Sequence, residues 1–272
     1  MGFIASNQLI NLFRATWNYR GYIASSVKRE FQIRYRNSLL GAAWNILNPL
    51  AMVMIYTIVF SQVMHARLPG ADRAFDYSIY LCAGVITWGL FSEIISRSQI
   101  VFLEHANLIK KLNFPRLCLP VIVVLNAWLN FLIIFSLFLA FLIVVNRLPG
   151  APLLAIIPLL ALQTMLAIGI GITAGILNVF FRDVGHLVGI VLQFWFWLTP
   201  VIYTLKAIPE WARAIVLLNP MTAVITGYQT ILLNDSWPQW ASLWPVAVIG
   251  IATCLLGLTL FRNHAGEMID EL

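Results

Sequence analysis

The 272 residues carry 17 Lys and Arg against 11 Asp and Glu, a formal charge of +6, yet only 10% of the chain is charged and 61% is apolar. Soluble domains hold roughly a quarter charged residues, so this apolar excess needs lipid as its solvent, which excludes an ordinary soluble enzyme. The basic residues flank apolar runs instead of forming one face, which excludes nucleic acid as their partner and fits topology control and anionic lipid.

Residues 1–36 form a basic, mixed arm without the short apolar core and small-residue site of a cleaved signal, so the N-terminus is expected to stay in the cytoplasm. Helical spacing puts Ile23, Val27, Phe31 and Tyr35 on one stripe and Ser25, Lys28, Arg29, Gln32 and Arg36 opposite. That is the pattern of an amphipathic helix lying flat at the headgroups. Arg34 falls inside the apolar stripe, where it either snorkels at the border or meets a phosphate.

About 20 apolar residues cross the hydrocarbon. Residues 39–64, 78–102, 117–145, 152–180, 185–203 and 240–261 meet that length. A seventh uncharged stretch, 214–234, is broken at Asn219-Pro220, and the helix after the break would rise only about 20 Å. It reads as the second arm of a re-entrant outer hairpin spanning 204–235, or as paired short helices. The fold class is therefore all-α integral membrane: an arm over 1–36 and a single transmembrane domain over 37–272 with six spans. Arg14, Arg20, Lys28, Arg29, Arg34, Arg36, Arg97, Lys110, Lys111, Arg116, Arg182 and Arg262 fall on one side. Arg67, Arg73, Arg147, Lys206 and Arg213 fall on the other. The richer side is cytoplasmic and holds both termini.

Several residues within this frame are candidates for function. Glu93 and Arg97 lie inside the second span at i, i+4 spacing, as an intramembrane charge pair that either neutralises itself or lines a pathway. The 104–116 loop is a short helix-compatible stretch ended by Phe114-Pro115, suited to docking a soluble partner or serving as an ordinary positive-inside loop. In the fifth span Phe194-Trp195-Phe196-Trp197 lies too deep for an interfacial belt. Aromatic faces there, with Tyr56, Phe60, Phe91 and Tyr203, either stack on passing sugar rings or supply packing bulk.

Other chemistry is missing. No Gly-Lys pair occurs, so there is no phosphate loop, and His65, His105, His186 and His264 are scattered. Cys82, Cys118 and Cys254 have no CxxC spacing and read as small apolar residues, so neither a disulfide framework nor a metal site is expected. The Gly171 to Gly175 interval in the fourth span fits close helix packing and has the wrong spacing for a dinucleotide turn.

The stretch from Arg29-Glu30-Phe31-Gln32 through Trp44, followed by Pro49-Leu50, resembles the approach to the first span of type-2 ABC exporter permeases that move polysaccharides. Asn107-Leu108-Ile109-Lys110-Lys111 with Phe114-Pro115 is similar to that family's coupling helix. Phe181-Arg182-Asp183-Val184, Thr199-Pro200-Val201-Ile202-Tyr203 and Leu218-Asn219-Pro220 match in order. The nearest likeness is to permeases for O-antigen carried on undecaprenyl diphosphate. The resemblance implies a homodimer with two copies of a separate cytoplasmic ATPase that holds the ATP and Mg, leaving no cofactor in this chain. Asn107, Leu108, Ile109, Lys110, Lys111, Phe114, Arg182 and Asp183 would then meet the ATPase. Arg34 and Arg36 would meet the lipid diphosphate, and the chain would sit in the bacterial inner membrane. At Glu93 and Arg97 it departs from the pattern. Capsular polysaccharide or teichoic-acid export is the alternative within the class. A polyprenyl-phosphate glycosyltransferase using Asp72 and Asp76, or a passive channel, is the alternative outside it.

Overall fold

A computed structural model describes residues 17–35, 47, 51, 54, 55, 75–111, 116–264 and 266–272, and among them every regular element is helical. The helices are α1 (Arg20–Tyr35), α2 (Asp76–Ser98), α3 (Val101–Glu104), α4 (Ala106–Lys111), α5 (Cys118–Val144) and α6 (Ile156–Phe180). They continue with α7 (Asp183–Trp197), α8 (Glu210–Leu218), α9 (Pro220–Asn234), α10 (Trp244–His264) and α11 (Glu267–Glu271). Single 3-10 turns, Ala151–Ala155 and Trp240–Ser242, lead into α6 and α10.

Among the described residues four helical segments are long and apolar enough to cross a membrane: Asp76–Ser98, Cys118–Val144, Ala151–Phe180 and Trp240–His264. They coincide with four of the expected spans to within a few residues. The expected first span, 39–64, lies outside the described residues apart from isolated positions. The expected fifth span is shorter than its apolar run. α7 ends at Trp197 after 15 residues, a rise of about 22 Å. The chain leaves the helix there because Thr199 and Pro200 turn it.

Lipid tails are as apolar as Leu, so helices in a membrane associate through close packing and interhelical hydrogen bonds. α6 is built for this. A methyl placed on Gly169 would lie 2.6 Å from the backbone nitrogen of Cys254 in α10, and one on Gly175 would lie 2.6 Å from the Ser98 carbonyl oxygen in α2. Only glycine lets these backbones touch, so the Gly171 to Gly175 interval packs α6 onto α2 as expected, and Gly169 adds a second seam.

α8 and α9 meet at 95° across Asn219. The sequence reads this stretch as the second arm of a re-entrant outer hairpin or as paired short helices, and says nothing of what α9 packs against. In the structure Met221, Val224, Ile225, Tyr228, Ile231 and Leu232 of α9 share one buried cluster with Ile79, Leu90 and Phe91 of α2 and Leu159 and Leu166 of α6. The bend makes this possible: Pro220 starts a new helix whose apolar side turns inward, while Trp211, Ile215, Leu217 and Leu218 of α8 stay exposed. On α5 and α10 the apolar side chains Leu132, Ile143, Val144, Ile251 and Leu255 are exposed.

α1 spends part of its apolar stripe on protein. Ile23 and Val27 pack against Cys118 and Ile122 of α5, whereas Phe31 remains exposed.

Candidate functional site

Two features cluster at the end of the bundle where α2 finishes and α7 begins, and a third runs from there along both helices. α4 projects there. Asn107 and Lys110 are exposed, Leu108 is half-buried, and Ile109 is buried with Phe102, Leu119 and Met268. Ile109 is therefore the anchor that seats α4 on the bundle and is not available to a partner, which corrects its place among the expected contacts. The side chain of Lys111 and the whole of Phe114 lie outside the described residues. Arg182 and Asp183 are exposed at the start of α7, with Asp183 in the first turn, where a negative charge suits the helix N-terminus. Phe181 beside them is also exposed.

The second feature joins α1 to α2 and α5. Arg97 donates to the Glu30 carboxylate on α1 as an ion pair, and Asn126 donates to the same oxygen at 2.7 Å. Asn130 donates to Glu93 at 2.8 Å. The two charges that helical spacing puts on one face of α2 thus each have a partner on another helix, which the sequence pattern cannot reveal because Glu30 is 67 positions from Arg97. Glu30, Arg97, Asn126 and Asn130, with Tyr22, Arg29, Glu104 and His105, border a cavity of about 560 Å³. Within the lipid-expected arm, the Arg34 side chain and Arg36 lie outside the described residues.

The third feature is an open groove of about 400 Å³ between α2 and α7. Ser92 and Ser96 of α2 and Gln193 of α7 give it a polar strip, and Trp88 and Phe196 border it. The aromatic candidates divide around it. Phe194 and Trp197 are 67% and 59% exposed, as a surface role requires. Phe91 is 0% exposed, its ring centroid 5.2 Å from that of Trp195 in an edge-on contact, so it is core and cannot line a path. Trp195 is half-buried and donates its indole N–H to Asn219. Tyr203 donates its hydroxyl to the Trp197 carbonyl at 2.7 Å. Tyr56 and Phe60 lie outside the described residues. The groove residues Trp88, Ser92, Ser96 and Gln193 were missed. Polar side chains inside apolar runs were the only signal for them.

At the opposite end the α7 terminus is clamped. Asn219 donates to the Leu198 carbonyl and to the Thr199 hydroxyl, and it caps α9 by accepting from the Met221 N–H. Tyr77 and Tyr80 of α2 donate to the carbonyls of Ile202 and Tyr203, and Gln229 of α9 donates to that of Pro200. The Thr199-Pro200 turn is thus held by two helices that also pack together. Asp76, one of the carboxylates the enzyme alternative uses, is ion-paired with Arg147 at 2.7 Å, and Asp72 lies outside the described residues. Among these described groups no nucleophile is hydrogen-bonded to a base.

The family model for the ABC-2 type transporter matches residues 22–233. The chain is 29% identical over 266 residues to the O-antigen export system permease protein RfbA of Myxococcus xanthus, covering 97% of this chain and 100% of that one. It is 30% identical over 236 residues to the RfbA protein of the same description from Klebsiella pneumoniae, covering 86% and 88%. It is 23% identical over 247 residues to the polysialic acid transport protein KpsM of Escherichia coli, covering 89% and 93%. The match runs from α1 through the clamped turn to α9, and on that extent this multi-pass membrane protein belongs to the ABC-2 type transporter family.

Proposed function

We propose that this chain is the membrane permease of an ATP-driven exporter that carries undecaprenyl-diphosphate-linked polysaccharide, O-antigen in class, from the cytoplasm across the bacterial inner membrane. The observation that carries the reading is the near full-length likeness to permeases named for O-antigen export, joined to a polar, aromatic-edged groove running beside α7. ATP hydrolysis takes place on a separate ATPase, with its Mg, and no covalent step occurs here.

In this reading the α4 end is cytoplasmic, as its basic side chains Lys28, Arg29, Lys110, Arg116 and Arg182 favour. Six spans leave both termini on that side, with the first span over 39–64 and α7 as the fifth. α1 lies at the headgroups, where Arg34 and Arg36 meet the lipid diphosphate. α8 and α9 form the re-entrant outer hairpin. Two copies of the chain enclose the path, a reading that the exposed apolar face of Leu187, Ile190, Val191, Phe194 and Trp197 on α7 supports. Two ATPase copies dock on Asn107, Leu108, Lys110, Lys111, Phe114, Arg182 and Asp183. Nucleotide-driven motion at those contacts biases an inward or outward opening, and sugars slide along Ser92, Ser96 and Gln193 between aromatic edges.

Deleting the chain and locating the glycan tests this. Undecaprenyl-linked polymer trapped in the cytoplasm is expected; normal surface glycan overturns it. The likeness to KpsM favours a capsular polysaccharide as the second reading, and the sugar composition of the trapped polymer separates the two.

A further inference from the structure

Asn178 is buried near the end of α6, in an otherwise apolar stretch. Its side-chain nitrogen donates to the Gln99 carbonyl at 2.9 Å, and its side-chain oxygen accepts from the Gly185 backbone N–H at 3.1 Å. Those two backbone groups belong to helix ends. Gln99 is the C-terminal cap of α2, and Gly185 lies in the first turn of α7. Helix ends leave such groups short of intrahelical partners, and the Gly185 N–H has only a longer 3.3 Å contact with the Arg182 carbonyl beside its bond to Asn178. The residue that would ordinarily cap α7, Arg182, makes no side-chain cap bond. One amide on α6 therefore caps two other helices at once.

The fit depends on glycine. A methyl on Gly185 would stand 3.3 Å from both the Asn178 side-chain oxygen and the Gln99 side-chain oxygen, tight enough that the neighbours would have to yield.

From Gln99 the chain passes through Ile100 into α3 and α4, and just before Gly185 come Arg182 and Asp183. The two segments assigned above to the ATPase thus hang from the two backbone groups that Asn178 holds. We infer that Asn178 is a positioning residue that locks the two docking segments into one moving unit, so that displacement of α4 is delivered to α7. The inference rests on the docking reading above. α7 carries the displacement to the clamped Thr199-Pro200 turn, where Asn219 receives it.

The test uses the full permease and ATPase complex in membranes, with Asn178→Leu, which removes both bonds, Asn178→Asp, which keeps only the acceptor, and Gly185→Ala. Glycan exported per ATP hydrolysed is measured together with hydrogen exchange of the Gly185 amide in the purified chain. Asn178→Leu is expected to keep ATP hydrolysis, to expose the Gly185 amide to exchange, and to lower export per ATP about tenfold, a coupling loss of ordinary size. Asn178→Asp should fall between it and the wild type. A wild-type export ratio in Asn178→Leu despite fast exchange overturns the inference, since the clasp would then only cap helices. If Asn178→Leu does not accumulate, Asn178→Asp and Gly185→Ala decide by the same ratio: unchanged export per ATP in both overturns it. A wild-type complex that hydrolyses ATP yet exports no glycan sinks the function reading instead, and is distinguishable because the unsubstituted protein fails.

Discussion

Trp195 donates its indole N–H to the Asn219 side-chain oxygen across 2.7 Å, joining the last turn of α7 to the 95° bend between α8 and α9. The same oxygen caps α9, while the Asn219 nitrogen holds Leu198 and Thr199. Asn219→Ala removes all of these bonds and is expected to cost about 1–2 kcal/mol, the scale of a lost cap. Thermal unfolding in detergent checks it. Asn219→Asp, which keeps the acceptor for Trp195 and Met221, should unfold at a temperature between the two.

The aromatic residues should separate by burial. Phe91→Ala opens a cavity in the cluster of α2, α7 and α9 and is expected to cost about 3–5 kcal/mol, enough to lower the amount of folded chain in the membrane. Trp197→Ala removes an exposed ring and should leave stability within about 0.5 kcal/mol of wild type while reducing glycan export. Equal unfolding temperatures for the two variants would contradict the assignment.

Glu30 and Arg97 are expected to be energetically coupled, since they pair across 67 positions and share Asn126. A double-mutant cycle of Glu30→Gln and Arg97→Gln should return an interaction of about 0.5–3 kcal/mol. Strictly additive unfolding energies would mean that α1 is not fastened to α2 through this pair. Arg97→Gln alone should also leave α1 more open to proteolysis, because the Asn126 bond to Glu30 and the packing of Ile23 and Val27 on α5 then hold it without the ion pair to α2.

Substitutions on α4 should divide in the same manner as the aromatics. Lys110→Glu reverses an exposed charge and is expected to weaken co-purification of the ATPase without moving the unfolding temperature. Ile109→Ala empties a buried seat and is expected to lower stability by about 2–5 kcal/mol. Co-purification unaffected by Lys110→Glu would place the docking contact elsewhere.

Gly175→Val tests the helix seam. Its side chain would meet the Ser98 carbonyl at a distance no real carbon tolerates, so α6 and α2 must separate. A cost of about 1–3 kcal/mol is expected, read as a lower unfolding temperature.

Membrane residence, the positions of four spans, the bend at Asn219-Pro220 and the family itself are determined by the sequence alone. Each depends on a local quantity: apolar length against hydrocarbon thickness, a proline that cannot continue a helix, or motif residues in order along the chain. Proximity between distant segments has no such local signature. Only the tertiary structure decided that Arg97 meets Glu30, that α9 lies in the core, that Phe91 is buried while Trp197 is exposed, and that Ile109 is a seat rather than a contact. An apolar run reads alike whether its faces meet lipid or protein, because both solvents are equally apolar, and packing chooses between them. The same holds for Asn178 and Gln193: a polar residue in an apolar run shows in the sequence, but the backbone it caps or the groove it lines exists only once the helices have assembled.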